Sequence, residues 1–225
     1  MTCLLCCKQL IKEMTISDFW FFHKKKRVCS YCLSKFTKIK KHICKRCSKS
    51  CIEEICCDCQ KWQKLYPNYQ FKNESLYFYN EAMEEFMQKY KFYGDYRLRF
   101  IFAKEMAQRL KKYREWVIVP IPISKKRFSL RGFNQVEGLL LASGICFYSA
   151  LMKPFDREYQ SHKTREERLQ TVQPFLLTQA GKSTLYHKKI LLVDDIYTTG
   201  RTLFHAYGVI KEALPKKVQT FTLVR

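Results

Sequence analysis

Residues 189–202 hold the feature that most constrains the fold: four consecutive apolar residues, two adjacent carboxylates, and a loop of threonines around one glycine. The apolar run is β-branched at both ends, at Ile190 and Val193, which predicts a strand buried on both faces of a parallel sheet. After the loop, apolar residues recur at helical spacing until Pro215. Because strand, loop and helix follow in this order, we predict an α/β fold with a mainly parallel sheet flanked by helices.

The loop after this strand predicts a binding site for a sugar phosphate. Ligands of such units bind outside the carboxyl ends of the strands, and a helix N-terminus offers free N–H groups to an anion. Gly200 lets the backbone approach a phosphate, and the threonines of residues 198–202 add hydroxyl donors. The adjacent carboxylates of Asp194 and Asp195 suit the vicinal hydroxyls of a sugar. We therefore predict a site for a ribose 5-phosphate.

Residues 193–202 resemble the phosphoribosyl-pyrophosphate (PRPP) loop of type I phosphoribosyltransferases. An alternative is the receiver domain of response regulators, in which an Asp-Asp pair also follows an apolar strand. That domain needs a phosphoacceptor aspartate on a later strand, whereas only thirty residues follow Asp195 and none of them is an aspartate. The sequence therefore favours the sugar-phosphate site.

Eleven of the twelve cysteines precede residue 60, and four C-x-x-C pairs can be drawn among them. The two-residue gap places two thiolates on one turn, so that two turns complete a tetrahedral zinc site with Zn–S distances of about 2.3 Å. No secretory signal is visible at residues 1–12, and the longest nearly apolar run, residues 139–151, is shorter than the roughly 20 residues that span a bilayer. We therefore expect a cytoplasmic protein, in which clustered cysteines bind metal rather than form disulfides.

Pairing the C-x-x-C turns in sequence order predicts two structural zinc ions. The ligands would be Cys3, Cys6, Cys29 and Cys32 for the first ion and Cys44, Cys47, Cys56 and Cys59 for the second. The alternatives that remain open are Cys57 in place of Cys56, Cys7 or Cys51 as a further ligand, and His23 or His42 in a three-cysteine site. A redox C-x-x-C is disfavoured, since four copies occur without a βαβ context. So small a segment cannot hold a core, and metal binding would supply its folding free energy.

The formal net charge of +22 predicts acidic partners: nucleic acid first, an anionic membrane surface second, and phosphorylated substrates third. Residues 1–72 contribute +11 of this charge. Residues 19–27 form an aromatic-basic run, with four aromatic residues at 19–22 and four basic residues at 24–27, which suits stacking and phosphate contacts on single-stranded nucleic acid. Two alternatives stay open: the aromatic residues 19–22 pack within the protein, and the lysine content reflects an AT-rich genome.

A second buried strand is predicted at residues 116–120, and beyond its end lie the cations Lys125, Lys126, Arg127 and Arg131. Cations at this position suit a pyrophosphate, and a solvated basic loop is the alternative. Together with this segment, four others resemble the ComF branch of phosphoribosyltransferases, the ComFC or GntX-like competence-associated proteins. The matching stretches are residues 119–122, 131–135, 91–95, Gln160 with Arg168, and 222–225.

This resemblance implies an N-terminal double zinc ribbon joined to a type I phosphoribosyltransferase fold. With the change in composition after Cys59, we predict a zinc ribbon at residues 1–62, a linker at 63–75 and a phosphoribosyltransferase-like domain at 76–225. The family implies a role in handling single-stranded DNA during natural transformation, beside a ComFA-like DNA helicase. Two other functions remain open: an active transferase that passes the phosphoribosyl group to a nitrogen acceptor, and a purely structural zinc adaptor.

The resemblance also implies that the protein binds PRPP with Mg²⁺ and assigns roles to individual residues. The carboxylates would hold the ribose, the loop would hold the 5-phosphate, and three arginines would neutralise the pyrophosphate. In this order the residues are Asp194 and Asp195; Thr198, Thr199, Gly200, Arg201 and Thr202; and Arg127, Arg131 and Arg168. Thr171 stands where the family commonly has asparagine, and residues 153–157 are less basic than its usual pattern.

Overall fold

The computed structural model describes residues 2–10, 27–40, 43–65, 72–154 and 173–225. In these residues four strands form one parallel sheet in the order β1-β6-β5-β2. The strands are β1 (Asn73–Tyr77), β2 (Val117–Pro120), β5 (Lys189–Ile196) and β6 (Lys217–Val224). A short antiparallel pair, β3 (Leu151–Met152) and β4 (Leu176–Leu177), lies outside this sheet. The predicted α/β class with a mainly parallel sheet is confirmed.

Eight α-helices accompany the strands in the described residues. They are α1 (Ser30–Ser34), α2 (Cys57–Leu65), α3 (Glu81–Lys91), α4 (Ala103–Leu110), α5 (Lys125–Arg131), α6 (Gln135–Ala142), α7 (Gln179–Leu185) and α8 (Arg201–Lys211). Two 3₁₀ helices, Tyr96–Phe100 and Lys111–Tyr113, flank α4. None of the helices in the described residues is both long enough and apolar enough to cross a membrane.

The sheet is covered on both faces, as the apolar run of β5 predicts. Leu191 and Val193 belong to one core cluster, which includes apolar residues of α3, α4 and α6. Ile190 and Leu192 belong to a second cluster, which includes apolar residues of α7 and α8. Because successive side chains of a strand point to opposite faces, β5 separates the two clusters.

The strand β5 is longer than the apolar run that predicts it. It continues through Ile196, so that Asp194 and Asp195 lie within the strand rather than after it. The neighbouring strand explains this extension, because β6 still offers partners at Thr222 and Val224. By alternation, Asp195 lies on the α3 face of the sheet and Asp194 on the α8 face.

The first strand begins inside the segment that its composition marks as a linker. Asn73 and Ser75 are polar but buried, and Asn73 Nδ2 donates to Ser75 Oγ at 2.8 Å. Hydroxyl groups of β6 complete this network: Ser75 Oγ lies 2.7 Å from Thr222 Oγ1, and Thr220 Oγ1 donates to Asn73 Oδ1 at 2.9 Å. Because these polar side chains form hydrogen bonds with one another, the strand can be buried. Its polar sequence, however, is typical of an exposed segment.

Candidate ligand site and metal centres

Residues 197–200, which we call the phosphate loop, connect the end of β5 to the start of α8. Gly200 is the N-cap of α8 and has a φ of +82°, in the left-handed region that favours glycine. A Cβ atom at this position would overlap the phenol of the buried Tyr197. From the sequence, this glycine is explained by the close approach of a ligand. The Tyr197 ring is a second reason why this position has no side chain.

The threonines of the predicted phosphate site surround the N-terminus of α8. Thr198, Thr199 and Thr202 are exposed, and Arg201 is partly exposed. The N–H group of Arg201 donates to Thr199 Oγ1 at 3.4 Å. The hydroxyl groups are thus accessible where a helix N-terminus favours an anion.

The two carboxylates of β5 are both buried, with only 8% of Asp194 and 4% of Asp195 exposed. Burial raises the pKa of Asp194 well above its usual range, and the nearby charge of Asp195 raises it further. The charge of Lys91 acts in the opposite direction. The charged form of Asp194 is therefore unfavourable in this site, and a cation or a hydroxyl donor would stabilise it.

Lys91, at the end of α3, is a site residue to which the sequence assigned no role. Its Nζ lies 2.6 Å from Asp195 Oδ2, and both side chains are largely buried. At this distance the ammonium group contacts Oδ2 directly, so Lys91 is the counter-ion of Asp195. Lys91 therefore supplies positive charge directly beside the carboxylate pair.

The predicted pyrophosphate arginines differ in their placement. Arg131 is half-buried: its Nε donates to the Lys91 carbonyl at 2.8 Å and its Nη1 donates to Gln135 Oε1. Burial lowers the pKa of Arg131, while the charge of Asp195 raises it, which indicates that the arginine lies near the carboxylates. Arg127 is exposed on α5. Arg168 lies outside the described residues, as do Gln160 and Thr171.

The structure brings the eight paired cysteines together in the two groups that sequential pairing predicts. Within each group the four sulfur atoms lie within 4.8 Å of one another, so that each group could hold a metal ion. The first cysteine group is Cys3, Cys6, Cys29 and Cys32, and the second cysteine group is Cys44, Cys47, Cys56 and Cys59. Cys7, Cys51 and Cys57 belong to neither group, and His23 and His42 lie outside the described residues.

The ionisation of these thiols fits a tetrahedral zinc site. Burial raises the pKa of Cys3, but backbone N–H groups, foremost that of Cys29, lower it to about 6. In the second group a hydrogen bond with Cys59 lowers the pKa of Cys47 to about 5, and the same hydrogen bond raises the pKa of Cys59. Each group thus stabilises one thiolate while a neighbouring thiol resists ionisation. A divalent cation would offset the repulsion between neighbouring thiolates, and four sulfur ligands suit zinc.

Two residues outside the predicted site join the second cysteine group to the phosphate loop. Arg225 Nη2 donates to Cys47 Sγ at 3.6 Å, and its Nη1 donates to the carbonyl oxygens of Thr198 at 2.8 Å and Tyr197 at 3.0 Å. Trp62 Nε1 donates to the Thr199 carbonyl oxygen at 3.0 Å. No sequence signal identified either contact, because each joins residues far apart in the chain.

Comparison with known proteins identifies relatives over the full chain. No family model matches the sequence. The chain is 40% identical over 226 residues to competence protein ComFC of Streptococcus pneumoniae (strain ATCC BAA-255 / R6), covering 100% of both chains. It is 32% identical over 230 residues to competence protein ComFC of Bacillus subtilis (strain 168), covering 99% of this chain and 94% of that relative.

Among solved structures, a hypoxanthine phosphoribosyltransferase from Staphylococcus aureus is similar at a TM-score of 0.34 and 16% identity, over 56% of this chain and 61% of that one. In the described residues of the present chain, β5 carries Asp194 and Asp195 to the phosphate loop in front of α8, and two four-cysteine groups come from residues 3–59. The predicted α/β fold with a mainly parallel sheet flanked by helices and an N-terminal cysteine-rich module is confirmed.

Proposed function

The chain belongs to the ComFC competence protein family, and on this premise we propose that it handles single-stranded DNA during natural transformation and binds PRPP with Mg²⁺ at the phosphate loop. Full-length relatives named as competence proteins support the first part. The single observation that carries the second part is the buried carboxylate pair directly before the loop, with the Lys91 ammonium 2.6 Å from Asp195 Oδ2. The family resemblance further implies a ComFA-like DNA helicase as a partner.

The residues of the site suit each part of PRPP. Ribose hydroxyls would donate to Asp194 and Asp195, and the 5-phosphate would accept from N–H groups at the start of α8. Lys91 and Arg131 bring positive charge to the carboxylates, where the pyrophosphate would lie. Carboxylate oxygens are also the ligand type that Mg²⁺ prefers, and the ion would neutralise pyrophosphate charge when bound.

A calorimetric titration with PRPP and Mg²⁺ tests this site. Wild type should bind, and the double change Asp194→Asn with Asp195→Asn should abolish binding. The matched control is Glu84→Gln with Glu85→Gln, which removes two adjacent carboxylates that are exposed on α3. Failure of the wild type to bind, or equal binding by the Asp194/Asp195 variant, would contradict the PRPP site.

An exposed surface beside the site supports the contact with DNA. The helix α5 contains no buried residue, and Phe128 and Leu130 on it are 51% and 81% exposed. Phe92 and Tyr93, in the turn after α3, are 78% and 79% exposed. The hydrogen bond from Arg131 to Lys91 joins this turn to the end of α5. We call α5 and residues 92–93 the α3–α5 surface.

Exposed aromatic rings beside cations are the combination that binds single strands, because bases stack on the rings and phosphates contact the cations. Lys125 and Arg127 supply exposed cations on α5. Membrane association and dimerisation would use the apolar groups of this surface as well, but its positive charge and the competence-protein relatives favour DNA. Residues 19–26, the other aromatic-basic stretch, lie outside the described residues.

Titration of a labelled single-stranded oligonucleotide at several salt concentrations tests the DNA contact. The logarithm of the association constant should fall with that of the salt concentration by about 0.7 per neutralised phosphate. Tyr93→Ala with Phe128→Ala should weaken binding by about tenfold or more, whereas the control Tyr186→Ala, at a ring 54% exposed after α7, should not. Affinity that is independent of salt would contradict the proposal.

Transfer of the phosphoribosyl group to a nitrogen acceptor is a second candidate function. The observation that favours it is the pair of cations, Lys91 and Arg131, beside the carboxylates, where negative charge would develop on a departing pyrophosphate. In this reaction the nitrogen forms a bond to the anomeric carbon, the carbon–oxygen bond to pyrophosphate breaks, and the nitrogen loses its proton. Release of pyrophosphate that depends on an added amine would support turnover, and hydrolysis alone would not.

A further inference from the structure

We infer that the second cysteine group, with its metal bound, positions the phosphate loop through Arg225 and Trp62, so that metal occupancy and ligand affinity are coupled. The inference deepens the proposed PRPP site by giving it a means of regulation, and it rests on that proposal only where affinity is the readout. Its basis is that Arg225 and Trp62, which lie next to the second cysteine group, donate hydrogen bonds to three successive carbonyl groups of the phosphate loop.

Arg225 forms the shorter of the two connections. Hydrogen bonds with the last residue of β1 and with Tyr79, two residues later, fix its backbone: Arg225 N donates to Tyr77 O and Tyr79 N donates to Arg225 O, both at 2.9 Å. Its guanidinium then lies between Cys47 Sγ and the carbonyl oxygens of residues 197 and 198. The same group lies 4.8 Å from the centre of the Tyr197 ring. One planar cation thus binds the sulfur and the loop together, which a flexible ammonium would do less rigidly.

Trp62 forms the second connection. It lies three residues after Cys59 in α2, a spacing that places both on one helix face. Its indole N–H donates to the Thr199 carbonyl oxygen, and its ring stacks on Phe204 of α8 with centroids 5.1 Å apart. The helix that carries a cysteine ligand therefore also contacts the loop and the helix after it.

These contacts orient the N–H groups of the loop. In a planar trans peptide the carbonyl of one residue and the N–H of the next point in opposite directions. Because the carbonyls of residues 197, 198 and 199 point toward Arg225 and Trp62, the N–H groups of residues 198, 199 and 200 point away from the second cysteine group. Donors held in this way form a preorganised cradle for the 5-phosphate.

The coupling must act in both directions. Loss of the metal would release Cys47 and the first turn of α2, and with them the two residues that hold the loop. By linkage, a ligand that binds the ordered loop must stabilise the metal-bound state to the same extent. The first cysteine group provides a control within the molecule, because residues next to its cysteines contact other elements than the phosphate loop. Leu5 accepts a hydrogen bond from Lys89 of α3, and Arg27 lies over the Phe100 ring.

The experiment compares the PRPP affinity of zinc-loaded variants by calorimetry. Arg225→Gln should weaken binding by about tenfold and Trp62→Phe, which keeps the stacked ring but removes the N–H, by about threefold. The matched controls are Arg97→Gln, at an arginine that pairs with Asp95, and Trp116→Phe, at a tryptophan packed on Tyr113. Zinc content should stay at the wild-type value in all four variants. Unchanged affinity in both loop variants would overturn the inference.

Amide hydrogen exchange of residues 197–204 supplies a readout that needs no ligand. Removal of zinc from the second cysteine group should accelerate exchange there in the wild type, and much less in the double variant Trp62→Phe with Arg225→Gln. PRPP with Mg²⁺ should in turn slow zinc release to a chelator in the wild type. If zinc-loaded wild type does not bind PRPP, the proposed site is wrong, while loop exchange that responds to metal still supports the positioning. Exchange that does not respond to metal overturns the positioning itself.

Discussion

The two cysteine groups each offer four sulfur ligands, but they lie on opposite faces of the sheet. Cys3 and Cys32 of the first group belong to the core cluster that contains α3 and the aromatic residues Phe86 and Phe102. All four residues of the second group belong to the cluster that contains α8 and the even-numbered apolar residues of β5. The comparison teaches that equal metal chemistry does not imply equal function: the neighbours of a site decide what its metal stabilises.

In the described residues, α3 links the first group to the carboxylates. Lys89 Nζ donates to the carbonyl oxygen of Leu5, between Cys3 and Cys6 in the chain, at 3.4 Å, and Lys91 pairs with Asp195 from the same helix. A long and partly exposed side chain makes the contact to the first group. The second group reaches the loop through Arg225 and Trp62, whose side chains donate hydrogen bonds of 2.8–3.0 Å to its carbonyl oxygens. We therefore expect the first group to stabilise the fold and the second to stabilise both the fold and the site.

The largest effect should follow from removing one metal at a time. Cys32→Ser and Cys59→Ser should each lose one bound zinc and lower the free energy of unfolding by about 4 kcal/mol or more, since loss of a structural metal is among the most destabilising changes. At a temperature where both variants remain folded, PRPP affinity should be retained by Cys32→Ser and lost by Cys59→Ser. Zinc analysis, denaturant unfolding and calorimetry measure the three quantities. Equal loss of affinity in both variants would remove the distinction between the groups.

A smaller effect is expected where α3 contacts the carboxylates. Lys91→Met leaves the buried Asp195 without its cation and should lower the free energy of unfolding by about 3 kcal/mol, because an unpaired buried charge is strongly unfavourable. The control Lys89→Met removes only the hydrogen bond to Leu5 and should change stability by about 0.5 kcal/mol. Denaturant unfolding at neutral pH compares the two. Similar losses would show that α3 is held equally by both contacts.

The structural features that the sequence predicts are those that depend on residues close together in the chain. A C-x-x-C turn places two sulfurs on one ion because of its spacing alone, and an apolar run followed by Asp194 and Asp195 places the carboxylates at the end of a strand. The order of the turns along the chain was then enough to predict which pairs meet. Local spacing therefore predicted the sheet class, the loop and the cysteine groups.

The remaining features depend on contacts between distant residues. Arg225 meets Cys47 across 178 positions and Trp62 meets Thr199 across 137, so neither contact leaves a local pattern. The strand β1 was missed for another reason: Asn73 and Ser75 are buried as a satisfied polar network, whereas strand patterns are recognised by apolar residues. Lys91 resembled any lysine at the end of a helix until the fold placed it on Asp195.

The smallest effect concerns the carboxylate on the α8 face, the face of the second group. Burial raises the pKa of Asp194 above its value in the unfolded chain, so the folded state prefers the protonated acid. Its contribution to stability is fully present at low pH and is lost as pH rises through the raised pKa. Asp194→Asn removes this loss and should therefore stabilise the fold at neutral pH relative to the wild type. Unfolding measured from acidic to neutral pH should give a flatter profile for the variant, and parallel profiles would contradict the assignment. A gain in stability together with weaker PRPP binding would show that this buried charge is kept for the ligand at the expense of the fold.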